Sequence, residues 1–168
     1  GTFKISHNGK IEMSGSNSFG IYADNNDTNI LTDISARIIN LNTGSLIDMS
    51  STSTKGTALY ANKATVNVYG NIKTGSEGIG IYADSSNITL NGGIIDISGD
   101  NATGIFLDGS SNMTLTHGVI NIKGNNSTIF YINSSAILTG QDNVVINADP
   151  ALKMVLANVK NNNFIYNR

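Results

Sequence analysis

Residues 78–99 read GIGIYADSSNITLNGGIIDISG, and residues 102–124 read ATGIFLDGSSNMTLTHGVINIKG. The second stretch restates the first. Gly80-Ile81-Tyr82-Ala83-Asp84 returns as Gly104-Ile105-Phe106-Leu107-Asp108, Ile88-Thr89-Leu90 as Met113-Thr114-Leu115, and Ile95-Asp96-Ile97-Ser98-Gly99 as Ile120-Asn121-Ile122-Lys123-Gly124. The unit is 24 or 25 residues long. A fixed period of this length marks stacked repeats, in which each unit buries its apolar face against its neighbours.

Outward from this pair, the first phrase recurs at Gly20-Ile21-Tyr22-Ala23-Asp24, Ala58-Leu59-Tyr60-Ala61-Asn62 and Ile129-Phe130-Tyr131-Ile132-Asn133. Its aromatic positions are 22, 60, 82, 106 and 131, with spacings of 38, 22, 24 and 25. A second phrase appears at Ile11-Glu12-Met13-Ser14-Gly15 and Ile47-Asp48-Met49-Ser50-Ser51. In the third repeat Asn71-Ile72-Lys73-Thr74-Gly75 fits it only with a one-residue gap.

Each unit reads as three short strands of four to six residues, alternating with period two and rich in Ile, Val, Thr and Tyr. Gly, Asn, Asp and Ser cluster between them as turn residues. Lys153 to Lys160 is the one ambiguous run. A propeller blade needs about 40 residues, and the leucine-rich spacing is missing. An all-β parallel β-helix fits: about seven coils of roughly 22–25 residues, about 4.8 Å apart, right-handed by the crossover rule. Residues 1–168 then form a single solenoid segment.

The columns follow from parity. Ile21, Leu59, Ile81, Ile105 and Phe130 point inward with Ala23, Ala61, Ala83, Leu107 and Ile132. The aromatic column shares parity with Asp24, Asn62, Asp84, Asp108 and Asn133, so it faces out or sits at a corner. Ile95 and Ile97 point in, and Asp96 points out. One irregularity stands out. About a dozen extra residues enter at NNDTNILTDISARIINLNTG, residues 25–44, which reads as an inserted loop or hairpin. Solenoid insertions map to one face, often the binding face.

Composition narrows the function. Only 13% of residues are charged, the formal net charge is −2, and Cys and Trp are absent. With no basic stripe to neutralise phosphates, nucleic-acid binding is not expected. Without cysteine, disulfides cannot hold the chain together. No run reaches the roughly 18 apolar residues of a membrane helix. Gly1-Thr2-Phe3 opens directly into a strand-like run, so no signal peptide is read there; the repeat already runs at residue 11 and still runs near residue 165, so the chain reads as a piece of a longer array whose targeting signals lie outside it.

Repeats of the form G-I-Y-A-D, S-N-I-T-L-N-G-G and I-D-I-S-G, over about residues 11–148, resemble the passenger domains of autotransporters. They resemble in particular the very large fusobacterial-type outer-membrane adhesins. The resemblance implies a secreted right-handed β-helix displayed at the bacterial cell surface, with the parent protein anchored in the outer membrane by a C-terminal β-barrel outside this chain. It implies adhesion to host cells, through a surface receptor or glycan, or to partner bacteria. It supplies no short catalytic or binding motif that could be carried onto these residues.

β-Helices also carry polysaccharide lyases and hydrolases, which need converging carboxylates or carboxylates with calcium and a basic residue. Glu12, Asp48 and Asp96 share one outer column, but a coil with Lys73 lies between two of them, and the column reads as solvated surface. His7 and His117 are far apart, so no metal site and no cofactor is expected. N-x-[ST] triplets begin at Asn26, Asn87, Asn101, Asn112, Asn126 and Asn133; Asn closing a turn before a strand-opening Thr or Ser accounts for them. Two features remain as candidate ligand-binding groups. Tyr22, Tyr60, Tyr82, Phe106 and Tyr131 form either a stabilising ladder or an aromatic ridge for a sugar or protein. Arg37 is the single arginine before the last residue and falls within the expected insertion. The expectation is therefore a non-enzymatic adhesin passenger segment, acting as adhesive tip or as stalk. The alternatives are a secreted glycan-active β-helix enzyme and a toxin-type passenger.

Overall fold

The computed structural model describes residues 2–25, 34–51, 54–140, 143–160 and 164–166. The first coil holds β1 (Phe3–His7), β2 (Lys10–Glu12) and β3 (Phe19–Ala23); the second holds β4 (Arg37–Leu41), β5 (Leu46–Asp48) and β6 (Thr57–Asn62); the third holds β7 (Thr65–Val68), β8 (Asn71–Lys73) and β9 (Ile79–Asp84). The fourth is β10 (Asn87–Ile97) and β11 (Thr103–Asp108), the fifth β12 (Asn112–Ile122) and β13 (Ser127–Ile132), and the sixth β14 (Ile137–Gly140), β15 (Val144–Ala148) and β16 (Met154–Val159). Strand β17 (Phe164–Tyr166) stacks on β14 and opens a seventh. Every strand pair is parallel, each coil lying on the one before.

The chain is thus the expected all-β parallel solenoid. From the first complete coil to the sixth it winds about five turns, slightly fewer than the about seven coils expected. The ambiguous run 153–160 is mostly strand, as β16.

Register confirms the columns. Ile21 pairs with Leu59, Leu59 with Ile81, Ile81 with Ile105 and Ile105 with Phe130, and all five are buried. Ile47, Ile72, Ile95 and Ile120 form a second buried column, which brings the gapped third repeat into line. Ile39, Val66, Ile88, Met113 and Leu138 form a third. Removing each such side chain from water contributes about 1.5–3 kcal/mol, and most of these residues are fully buried. The three columns seal one continuous core.

Two expectations change. In the fourth and fifth coils, the two strands expected on either side of Asn91-Gly92-Gly93 and His117-Gly118 run on as single eleven-residue strands. The register shifts between Leu90 and Ile94, and Gly92 and Gly118 take φ of 118° and 143°. A glycine there bends the strand round the corner without a separate turn.

The insertion is also shorter than residues 25–44. Arg37–Leu41 is strand β4, paired with β1 on one side and β7 on the other. The extra chain is confined to residues 24–36, between β3 and β4, where thirteen residues replace the two to four found at that corner in later coils. Residues 26–33 lie outside the described residues, and Ile34–Ala36 closes the connection as a short 3-10 turn.

Candidate functional site

The face built from β3, β6, β9, β11, β13 and β16 carries the aromatic column. Each phrase places its ring one residue after a buried Ile, Leu or Phe, so pleating turns the ring outward. Strand stacking then brings the rings into contact. Tyr22 and Tyr60 lie 4.7 Å apart between centroids at 11°, Tyr60 and Tyr82 5.3 Å at 28°, Tyr82 and Phe106 4.7 Å at 5°, and Phe106 and Tyr131 4.5 Å at 8°. Phe19 closes the lower end edge-on, 5.0 Å from Tyr22. The five expected ring residues are therefore one continuous ladder. Its geometry matters chemically: the interior rings spend their faces on one another and present only edges to solvent. Sugar stacking needs a free face, and only the end ring Tyr22, 54% exposed, combines stacking with wide exposure.

Beside the rings runs the polar column Asp24, Asn62, Asp84, Asp108 and Asn133. The Tyr22 hydroxyl donates to Asp24 Oδ2 at 3.0 Å, and Tyr82 donates to Asp108 Oδ2 at 3.4 Å. Asn62 donates its amide to Asp24 at 2.8 Å, and Asn133 to Asp108 at 3.2 Å. The hydrogen bond to Asp24 raises the Tyr22 phenol above its ordinary value. Burial, with the Asp24 and Asp84 carboxylates adding to it, pushes Tyr60 up to about 12. Burial and Asp108 raise Tyr82. Asp108 lies below the usual carboxylate range because the Ser134 hydroxyl, the Gly109 N–H, Tyr82 and Asn133 all donate to it, which outweighs its partial desolvation.

Arg37 sits elsewhere and differently from expectation. It is 2% exposed, at the start of β4 and outside the extra chain. Its Nη1 donates to the Lys63 carbonyl at 3.2 Å, and the Asn25 carboxamide oxygen, turned toward it, lies 3.0–3.2 Å from the guanidinium nitrogens. Arg37 ties the stem of the extra chain to the next coil, and its burial removes it from any exposed contact surface.

Where that stem meets the stacked turns, a shallow polar concavity of ≈ 530 Å³ opens, lined by Ile34, Lys63, Ser85, Asn87, Ser110 and Asn112. It lies round the corner from the ladder, since Lys63 and Ser85 directly follow Asn62 and Asp84. Asn87 and Asn112 are register partners on adjacent coils, and both are exposed. Their amides, two serine hydroxyls, one ammonium and one apolar residue offer donors, acceptors and a small hydrophobic contact. Sequence reasoning missed this concavity because it forms only when three coils are stacked.

The acidic outer column is in register as read: Glu12 beside Asp48, Lys73 between Asp48 and Asp96, then Asn121. Lys73 lies 3.5 Å from Asp48, Lys123 lies 3.1 Å from Asp96, and Lys10 lies 2.8 Å from Glu12. Burial pushes Asp48 up, but hydrogen bonds from the Ser50 hydroxyl and N–H, together with Lys73, more than offset it, so Asp48 lies below its ordinary value. Each carboxylate is thus engaged by a lysine, Glu12 within its own strand and Asp48 and Asp96 across coils. His117 is exposed, and His7 contacts the Leu46 carbonyl at 3.4 Å. Among the described residues no group of three His, Cys, Asp or Glu side chains is placed to hold a metal.

Sequence reasoning also missed an internal serine ladder. The buried Ser86 Oγ accepts the Ala64 N–H at 3.0 Å, and the buried Ser111 Oγ accepts the Ser86 N–H at 3.1 Å. On a neighbouring corner Ser127 Oγ accepts the Ala102 N–H at 3.1 Å. The signal was available, since Ser86 and Ser111 recur 25 residues apart. No protein-family model, no curated protein and no solved structure matches the chain.

Proposed function

We propose that this chain is a binding and display segment of a bacterial surface adhesin, part of the passenger of a large autotransporter, and that it carries out no reaction. The parent protein is held at the cell surface by an outer-membrane barrel outside this segment. The partner is a receptor or glycan on a host cell, or the surface of another bacterium. The observation that carries this reading is the long connection at one corner of the stack, between β3 and β4. The corner that receives the extra chain 24–36 opens onto the concavity lined by Ile34, Lys63, Ser85, Asn87, Ser110 and Asn112. A rod needs no such connection, whereas a binding site on a rigid scaffold does. The carboxylate column supports a structural role for its members, because ion pairs and serine or asparagine donors occupy them along the rod.

The test compares the protein with a Ser110→Arg, Asn112→Arg variant for binding to epithelial cells and partner bacteria. Both positions are exposed, so the variant keeps its core while two long cations fill the concavity. The expected result is saturable binding by the parent sequence and its loss in the variant, with unchanged circular dichroism. Absence of binding by both folded proteins overturns the adhesive reading and leaves a spacer that displays a contact site carried elsewhere.

A further inference from the structure

The adhesive reading leaves the lower end of the aromatic ladder unused, and that end has a chemistry of its own. The ladder brings tyrosine against tyrosine at two steps, Tyr22–Tyr60 and Tyr60–Tyr82. Above them Phe106 separates Tyr82 from Tyr131, and a phenyl ring cannot become a phenoxyl radical. Tyr69 makes no ring contact among the described residues. Of the two steps, Tyr22–Tyr60 is closer and more nearly parallel, at 4.7 Å and 11° against 5.3 Å and 28°. Tyr22 is also 54% exposed, which lets an oxidant reach it and lets its ring tilt edgewise toward its neighbour. Tyr82, by contrast, is held between Tyr60 and Phe106. The Tyr22 hydroxyl already donates to Asp24 Oδ2 at 3.0 Å, so a base stands ready for the proton that leaves with the electron.

We propose that Tyr22 and Tyr60 are an oxidative modification site, which hydrogen peroxide acting through a haem peroxidase converts to dityrosine, joining the first coil covalently to the second. Each phenol gives up one electron and one proton, the proton of Tyr22 passing by way of Asp24 and that of Tyr60 directly, both to solvent. The two radicals pair ortho carbon to ortho carbon, forming one C–C bond. The two ortho hydrogens then pass to the phenol oxygens as the rings recover aromaticity. In all, two electrons and two protons leave the protein and reduce one peroxide to two waters. Both phenols are held above the ordinary tyrosine range, so electron and proton leave together rather than from a preformed phenolate. Stacking supplies the proximity that a bimolecular coupling lacks. The product closes the chain between positions 38 residues apart and restrains the unfolded state as a disulfide would.

The experiment treats the dilute 168-residue chain with hydrogen peroxide and a haem peroxidase, isolates the monomer by size exclusion, and reads dityrosine fluorescence and the cross-linked peptide by mass spectrometry. The expected product is a monomer lighter by two hydrogens, with one peptide joining residues 22 and 60 and a raised melting temperature. Tyr60→Phe keeps the ring and the stack, and is expected to lose the monomer signal to the level of untreated protein. Tyr131→Phe and Tyr82→Phe are expected to keep it. Dityrosine found only in dimers, a cross-link mapped to other tyrosines, or an undiminished monomer signal in Tyr60→Phe overturns the proposal. None of these readouts depends on adhesion.

Discussion

Phe106→Ala tests whether the ladder holds the coils together. The Phe106 ring lies between Tyr82, at 4.7 Å and 5°, and Tyr131, at 4.5 Å and 8°. These are the two most nearly parallel contacts in the column. An aromatic pair is worth about 0.5–1.5 kcal/mol beyond its area burial, so deleting the middle ring removes about 1–3 kcal/mol of stacking. The half-buried ring also loses about 1 kcal/mol of apolar contact with its own strand neighbours, so about 2–4 kcal/mol in total is expected. For a chain of this size each kcal/mol shifts the melting temperature by about 2–4 °C, so the fall should be about 4–16 °C. Circular dichroism melts measure it, and a double-mutant cycle with Tyr131→Ala isolates the pair. The cycle should return about 0.5–1.5 kcal/mol of coupling. Because coils interact only with neighbours, weakening the fourth against both the third and the fifth should also broaden the transition. A shift within about 0.5 kcal/mol of zero, or a cycle with no coupling, refutes the stabilising ladder and returns the column to the pool of contact surfaces.

Ser111→Ala removes the buried hydroxyl that accepts the Ser86 N–H and donates to the Ala83 carbonyl, both at 3.1 Å. Stranding buried polar groups costs about 1–3 kcal/mol; denaturant unfolding should show this loss, while Ser110→Ala next door, exposed, should show almost none. Gly99→Ala would set a Cβ 2.2 Å from both the Gly75 carbonyl carbon and the Ser76 nitrogen. The backbone of the coil below cannot yield cheaply, so a loss of about 1–3 kcal/mol is expected, whereas Gly15→Ala, which meets open space, should leave the unfolding midpoint unchanged. Asp108 is depressed in the folded chain, chiefly by the Ser134 hydroxyl. A depressed carboxyl contributes stability that is full above its unfolded pKa of about 3.9 and is lost as pH falls through its folded value. The parent sequence should therefore melt above Asp108→Asn at neutral pH, and the two curves should converge below about pH 4; a difference independent of pH would refute the assignment.

The columns were legible because two periods constrain the same residues. Alternation says which side chains face in, and the coil repeat says which of them share a column. When Ile81 and Ile105 agree on both counts, little freedom is left. The corners were less legible because closing a coil depends on distances between coils that no single repeat contains. The outcome at residues 25–44 shows the difference. Reading on the aromatic and I-D-I-S phrases put Arg37-Ile38-Ile39-Asn40-Leu41 in the inserted loop or hairpin. Its alternation, with Ile39 and Leu41 in register with Val66 and Val68, was nevertheless enough to place it in the stack.

The same register explains Arg37 itself. Ile38 pairs with Thr65, Thr65 with Asn87, Asn87 with Asn112 and Asn112 with Ile137. The residues immediately before these are Arg37, Ala64, Ser86, Ser111 and Ala136, and all five are buried. Four are small, because this corner turns tightly and has room only for a methyl group or a hydroxyl that caps an N–H of the adjoining coil. Arg37 is the exception, and it stands at the coil where extra chain enters. A buried guanidinium must be met by acceptors or it costs far more than its packing returns. The Lys63 carbonyl of the next coil and the Asn25 carboxamide of the stem supply them. The arginine and the extra chain are therefore one feature: the longer connection brings Asn25 to the charge, and the charge fixes the stem at the rim of the polar concavity. Taken singly, the sequence signals were an odd spacing of 38 and a lone arginine. Their connection is a statement about which residues share a column, and it becomes readable once the corner column is written out coil by coil.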